Sequence, residues 1–188
     1  DLGDLDGLGE RLVFAGLEKT GDRRGDRFLQ HDIRALPLEE PIRIGVYRRV
    51  AILKGEREAA VYDRCSELLD RCGLAEKANR RAGGLTLLDR KRLELARALA
   101  TSPRVLLLDE VAGGLTEHEC ATLVALIKDV RASGVSIIWI EHVVHALLAT
   151  VDRLVVLHGG KFIAGGDPHS VIRSPQVTEI YMGIDADA

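Results

Sequence analysis

The stretch Val105–Gly114, VLLLDEVAGG, constrains the fold more than any other: four consecutive apolar residues run into two adjacent carboxylates and then a glycine pair. A short apolar run without polar alternation, preceded by Ser-Pro-Arg at 102–104, predicts a strand buried on both faces of a parallel sheet. Parallel strands need long crossover connections, and the neighbouring sequence supplies them. Arg90–Ala100, RKRLELARALA, spaces Leu93, Leu95, Ala96, Leu99 and Ala100 as a helix face does. A helix is predicted over 117–131, a strand over 135–140 (VSIIWI), a helix over 144–150 and a strand over 153–157 (RLVVL). That alternation is the pattern of an open, mostly parallel α/β sheet with crossover helices. His158-Gly159-Gly160, between RLVVL and KFIAGG, predicts a tight hairpin and so an antiparallel sheet edge. Two short helices, 168–173 and 177–181, follow it.

The first 82 residues carry a weaker pattern. RLVFAG at 11–16 alternates like a strand, and REAAVYDRCSELLDRCGL at 57–74 is an amphipathic helix with Gly73 as its C-cap. Residues 21–55 show no firm periodicity. The chain has 188 residues, 46% hydrophobic and 29% charged, enough to bury a core of its own. Its formal net charge of −3 gives no field of the kind a nucleic-acid binder uses, so nucleic acid is disfavoured as a partner. Cys65, Cys72 and Cys120 cannot all pair, and their spacing matches no metal motif. They read as small buried hydrophobes in a reducing compartment. No apolar run approaches the ~20 residues that span a bilayer, and the acidic start, DLGDLDGLGE, is unlike a basic leader. The expected location is cytoplasmic.

Asp109 and Glu110 stand where open α/β sheets bind ligands, outside the carboxyl end of a strand. One acid there suits Mg²⁺ and the other suits polarising an attacking water. The alternative is a pair that merely ends a strand at the surface. The next strand ends in Glu141-His142, and parallel neighbours would bring His142 near Glu110. GGLT occurs twice, at 83–86 and 113–116, each time before a helix and with an acid three residues on, Asp89 and Glu119. Each is a candidate capping box.

These residues resemble a known family. RKRLELARALATSPRVLLLDEVAGGLTEHE, IIWIEHVVHAL and VDRLVVLHGGKFIAGGDPHSVIRSPQVTEIYMG look like the ATPase subunits of ABC transporters, most of all the Liv type of branched-chain amino acid importers. The resemblance covers about Leu74–Gly183. It implies a P-loop NTPase-like ABC ATPase fold with a helical lobe, in a chain that binds and hydrolyses ATP with Mg²⁺. Asp109 would be the Walker-B aspartate that holds Mg²⁺, and Glu110 the catalytic carboxylate. Gly113–Thr116 would be the D-loop and His142 the switch histidine. LTLLD at 85–89 falls at the signature position, which gives Thr86 a contact with the nucleotide of an opposing subunit. DRFLQ at 26–30 resembles the segment that ends in the Q-loop glutamine, which makes Gln30 a Mg²⁺ and nucleotide contact. The implied partners are a second ATPase subunit and a pair of transmembrane permease subunits, with an extracytoplasmic solute-binding protein acting indirectly. The location would be the inner face of the cell membrane.

Several departures stand beside the resemblance. No G-x-x-x-x-G-K-[ST] string, whose backbone N–H groups and lysine cradle phosphates, occurs in the 188 residues. GERLVFAGLEKT at 9–20 resembles the strand after the family's first helix, so the chain is expected to be N-terminally truncated, without the first strands and phosphate loop. The expected organisation is a remnant of the nucleotide-binding lobe at 1–30, a helical signature lobe at 31–100 and the rest of the ATPase core at 101–188. Leu88 replaces a glycine, and Asp89 replaces a glutamine where a negative charge would oppose a γ-phosphate. Val111 replaces a proline and Thr116 an aspartate. The isolated chain is expected to bind ATP weakly. Two functions stay open: an ATPase subunit driving uptake of branched-chain or related amino acids, and a non-catalytic pseudo-ATPase partner. An ABC ATPase of DNA repair is disfavoured, because the stretch from Gln30 to Leu85 is too short for a coiled-coil insertion.

Overall fold

A computed structural model describes residues 15–16, 41–47 and 58–182. Helices occupy 42–47 (α1), Glu58–Arg71 (α2), Leu87–Leu99 (α3), Glu117–Ala132 (α4), Val144–Leu148 (α5), Pro168–Ile172 (α6) and Pro175–Met182 (α7). Strands are Ala15–Gly16 (β1), Val105–Asp109 (β2), Ser136–Ile140 (β3), Leu154–His158 (β4) and Lys161–Gly166 (β5). The expected strand and helix alternation from residue 87 onward is present.

The chain divides into two compact units. One holds β1, β2 with its turn as far as Gly113, and everything described from Ile127 onward. Its described strands form two sheets instead of the single sheet expected. β2 and β3 pair in parallel, Val105 opposite Ser136 and Asp109 opposite Ile140. β1 and β4 also pair in parallel, and β4 turns back into antiparallel β5. Both hairpin residues, Gly159 and Gly160, have positive φ (56° and 68°), the type I′ geometry that matches strand twist. Trp139, Ile127, Val130, Leu147 and Leu154 are fully buried and form the centre of this unit.

β2 departs from its expected burial. Leu106 and Leu108 are buried, whereas Val105 and Leu107 are 52% and 42% exposed. Successive strand residues point to opposite faces, and among the described residues the Val105–Leu107 face is not buried. The strand is thus half covered.

The other unit holds α1, α2, α3 and the chain from Gly114 to Leu126. In α2, Val61, Cys65, Leu68 and Leu69 recur at helical spacing and are buried, and α2 packs against α3. α2 ends in a Schellman motif: Gly73 N–H donates to Asp70 O (2.8 Å) and Leu74 N–H to Leu69 O (2.7 Å). Gly73 takes φ +67°, and a Cβ there would lie 3.5 Å from the Arg92 guanidinium. Leu69 and Leu74, the hydrophobic pair of the motif, are both buried. Cys65, Cys72 and Cys120 are buried and none is in a disulfide. No described helix is long and apolar enough to cross a membrane.

Because a non-glycine residue in the left-handed region costs about 1 kcal/mol, Gly73→Ala is expected to lower unfolding stability by about that amount in urea titration. Unchanged stability would show that the α2 terminus does not depend on this turn.

Candidate functional site

The carboxyl ends of β2 and β3 bring the acidic pair and the histidine together. Asp109 is the last residue of β2 and is solvent-exposed. Glu110 would continue the parity of buried Leu106 and Leu108 and point inward. Instead its φ is +46°, a conformation uncommon for residues with a side chain. Its N–H still donates to Ile140 O (2.9 Å), closing the β2–β3 ladder, but its carboxylate is turned outward. His142, two residues past β3, places Nδ1 3.5 Å from Glu110 Oε1. The parallel register predicted from sequence thus produces the predicted neighbourhood, with both side chains more than half exposed.

Glu141 was not singled out for a role by its sequence, and it is the most deeply buried acid described: its relative exposure is 0%. Oε2 accepts from Ala112 N–H (2.9 Å), and Oε1 accepts from His142 N–H (3.1 Å) and Val143 N–H (3.4 Å). Oε1 also lies 3.4 Å from His142 Nδ1. A sequence signal was present. In SIIWIEH, Ile137, Trp139 and Glu141 share one face, and all three are buried. Gly113 sits close by: a Cβ there would meet His142 Cε1 at 3.7 Å and Glu110 O at 3.5 Å.

The residues that the resemblance puts at the signature position lie in the other unit. Thr86 is the N-cap of α3, its hydroxyl accepting from Asp89 N–H (3.2 Å). Asp89 does not stand bare toward solvent, where it would oppose a phosphate. It is 3% exposed, accepts from Lys77 Nζ at 2.6 Å and has Arg92 Nη1 at 3.6 Å. A buried carboxylate needs such partners, and the α3 N-terminus turns it toward them. Burial alone would raise its pKa, but hydrogen bonds from Lys77 and the Thr86 hydroxyl, with the charges of Lys77 and Arg92, hold it below the ordinary 3.8. The second threonine, Thr116, forms the complete reciprocal box. Its N–H donates to Glu119 Oε2 (3.0 Å), and Glu119 N–H donates to its hydroxyl (3.3 Å). Gln30 lies outside the described residues.

Among the described residues no three His, Cys, Asp or Glu side chains cluster as a metal cage. Asp109 as a single exposed carboxylate nevertheless fits Mg²⁺, which is bound through one or two carboxylates and otherwise keeps water and phosphate oxygens.

Known proteins similar to this chain point to one family. The family model described as ABC transporter matches residues 21–113. The high-affinity branched-chain amino acid transport ATP-binding protein BraF of Pseudomonas aeruginosa is 37% identical over 140 residues, covering 74% of this chain and 54% of BraF. LivG of Escherichia coli, of the same description, is 36% identical with the same coverage. The chain therefore spans about half the length of these relatives. The lipopolysaccharide export system ATP-binding protein LptB of Acidithiobacillus ferridurans is 33% identical over 179 residues, covering 85% of this chain and 74% of LptB. In fold, the chain is similar to the ADP conformation of MJ1267, an ATP-binding cassette of an ABC transporter, with a TM-score of 0.69 at 22% identity, over 92% of this chain and 68% of that one.

Asp89 has a depressed pKa in the folded chain, so its contribution to stability is present above pH ~4 and is lost as pH falls through its folded value. Asp89→Asn is expected to flatten the acid limb of a stability–pH curve below pH ~4, read by urea unfolding at each pH. An acid limb identical to wild type would contradict the ion-pair assignment.

Proposed function

The chain belongs to the ABC transporter family of ATP-binding proteins, and from that premise we propose that Asp109, Glu110 and His142 form the metal and water end of an ATP-hydrolysing site. The observation that carries the reading is the Glu110–His142 approach across two in-register parallel strand ends, where sheets of this class receive ligands.

Each residue has a distinct task. Asp109 would hold Mg²⁺, which when bound draws charge from the phosphate oxygens. Glu110, held outward by its left-handed backbone, accepts a proton from the attacking water or orients it. His142 Nδ1 faces the two glutamates, so Nε2 is the ring nitrogen left to meet the γ-phosphate or the water. Thr86 would meet the nucleotide of an opposing subunit, and Gln30 would complete the Mg²⁺ contacts. The 188 residues hold no string of the G-x-x-x-x-G-K-[ST] form.

The partners are a second ATPase subunit, transmembrane permease subunits and, indirectly, a solute-binding protein, with the chain on the cytoplasmic face of the membrane. The cargo is a branched-chain or related amino acid, supported by the names of BraF and LivG. LptB, similar over more of its own length, serves lipopolysaccharide export, so cargo is the most weakly constrained part. A non-catalytic partner is the second reading, favoured by Leu88, whose side chain stands where the signature position has a glycine.

One experiment separates the two. In the transporter assembly containing this chain, Glu110→Gln is expected to lower ATP turnover by about 10²-fold or more while Mg·ATP stays bound. Equal turnover by wild type and variant would assign the chain the non-catalytic role.

A further inference from the structure

We propose that Glu141 is a positioning residue that clamps the loop after β2 to the loop after β3, so that Glu110 and His142 are held as one preorganised pair. The inference rests on the reading of those two residues as a hydrolytic pair, but its geometry stands independently of that reading.

Glu141 follows β3 on the same face as Ile137 and Trp139, and its carboxylate has no solvent exposure. A buried carboxylate without donors is strongly unfavourable. Its position is therefore tolerated only because three backbone N–H groups converge on it. Two of them, from His142 and Val143, belong to its own loop. The third, from Ala112, comes from the turn that follows Asp109 and Glu110, 29 residues away in sequence.

The two oxygens divide the work. Oε2 takes the Ala112 N–H and Oε1 takes the local pair. Hydrogen bonds to an ionised acceptor are the strong ones, and here they replace the strand ladder where it stops at Glu110 N–H and Ile140 O. A shift of the β2 turn away from the β3 loop would strand the carboxylate. The gap between Glu110 Oε1 and His142 Nδ1 is thereby fixed from behind by a residue that touches neither substrate nor water. Oε1, 3.4 Å from His142 Nδ1, also orients the ring, as outer partners of catalytic histidines do.

A carboxylate is required because two acceptor atoms are needed on one side chain. Glutamine keeps the shape but offers one acceptor oxygen and an amide that donates. Aspartate keeps the charge but is one methylene shorter, and so cannot span both loops.

Amide hydrogen exchange on the chain itself tests the clamp. In wild type the Ala112 amide should be protected although it lies in a turn, and exchange at the rate of an exposed turn would overturn the proposal without any variant. In Glu141→Gln and Glu141→Asp, Ala112 exchange should accelerate at least about tenfold, as loss of a hydrogen bond to a charged group implies, with the His142 ring resonances shifted. Strand amides at Leu106–Leu108 and Ile137–Trp139 should stay protected, showing that the fold persists. Unchanged Ala112 exchange in both variants would overturn the clamp. In the transporter assembly, E141Q should reduce kcat about tenfold at unchanged KM for ATP. A lost clamp with unchanged kcat would overturn the positioning role, whereas failure of Glu110→Gln to affect turnover would overturn only the hydrolytic reading.

Discussion

A carboxylate removed from water must find donors inside the protein, and in this chain that requirement organises the ends of two parallel strands. β2 and β3 align in register over five residue pairs. Their ladder closes at Glu110 N–H and Ile140 O, and beyond it Glu141 gathers backbone donors from both loops. The three side chains proposed for the metal and water end flank those two strand ends: Asp109 at the tip of β2, Glu110 in its left-handed turn and His142 beside it. The arrangement combines a rigid base with side chains that remain accessible, as a site that must meet substrate and water requires.

Electrostatics in the second unit follow the same rule with a different outcome. An aspartate at the signature position reads from sequence as a charge that would repel phosphate. Folded, Asp89 turns into the lobe, where Lys77 and Arg92 neutralise it and Thr86 caps the helix over it. The charge serves the lobe's stability, and Leu88 remains as the departure that changes what this position can approach. The direction Asp89 takes is not legible in the sequence, because it depends on a lysine twelve residues away.

Legibility from sequence followed the length of each periodic signal. The run from Leu87 to Met182 carries strong apolar spacing and clear turn residues, and its helices, strands and glycine hairpin lie within about three residues of expectation. α1, at 42–47, escaped because it is short and shows only two fully buried positions one turn apart, Ile42 and Val46. The apolar run of β2 predicts cover on both faces, yet an unbroken hydrophobic stretch does not report which face has a neighbour. Within the site, the Glu110–His142 approach was legible because parallel register is nearly a matter of counting. Glu141 is equally countable, on the inward parity of Trp139, but an acid on an apolar face contradicts the usual burial rule. The positive φ of Glu110 left no sequence signal, since a residue type does not declare that the strand must end there.

With the two loops locked, the histidine ring sits against the β2 turn. Gly113 and His142 report this directly, since the ring's Cε1 lies 3.7 Å from the position a Gly113 Cβ would take. A nuclear Overhauser measurement on the folded chain should show a strong contact between the His142 Hε1 proton and a Gly113 Hα proton. Its absence, with the β2–β3 strand contacts intact, would contradict the account.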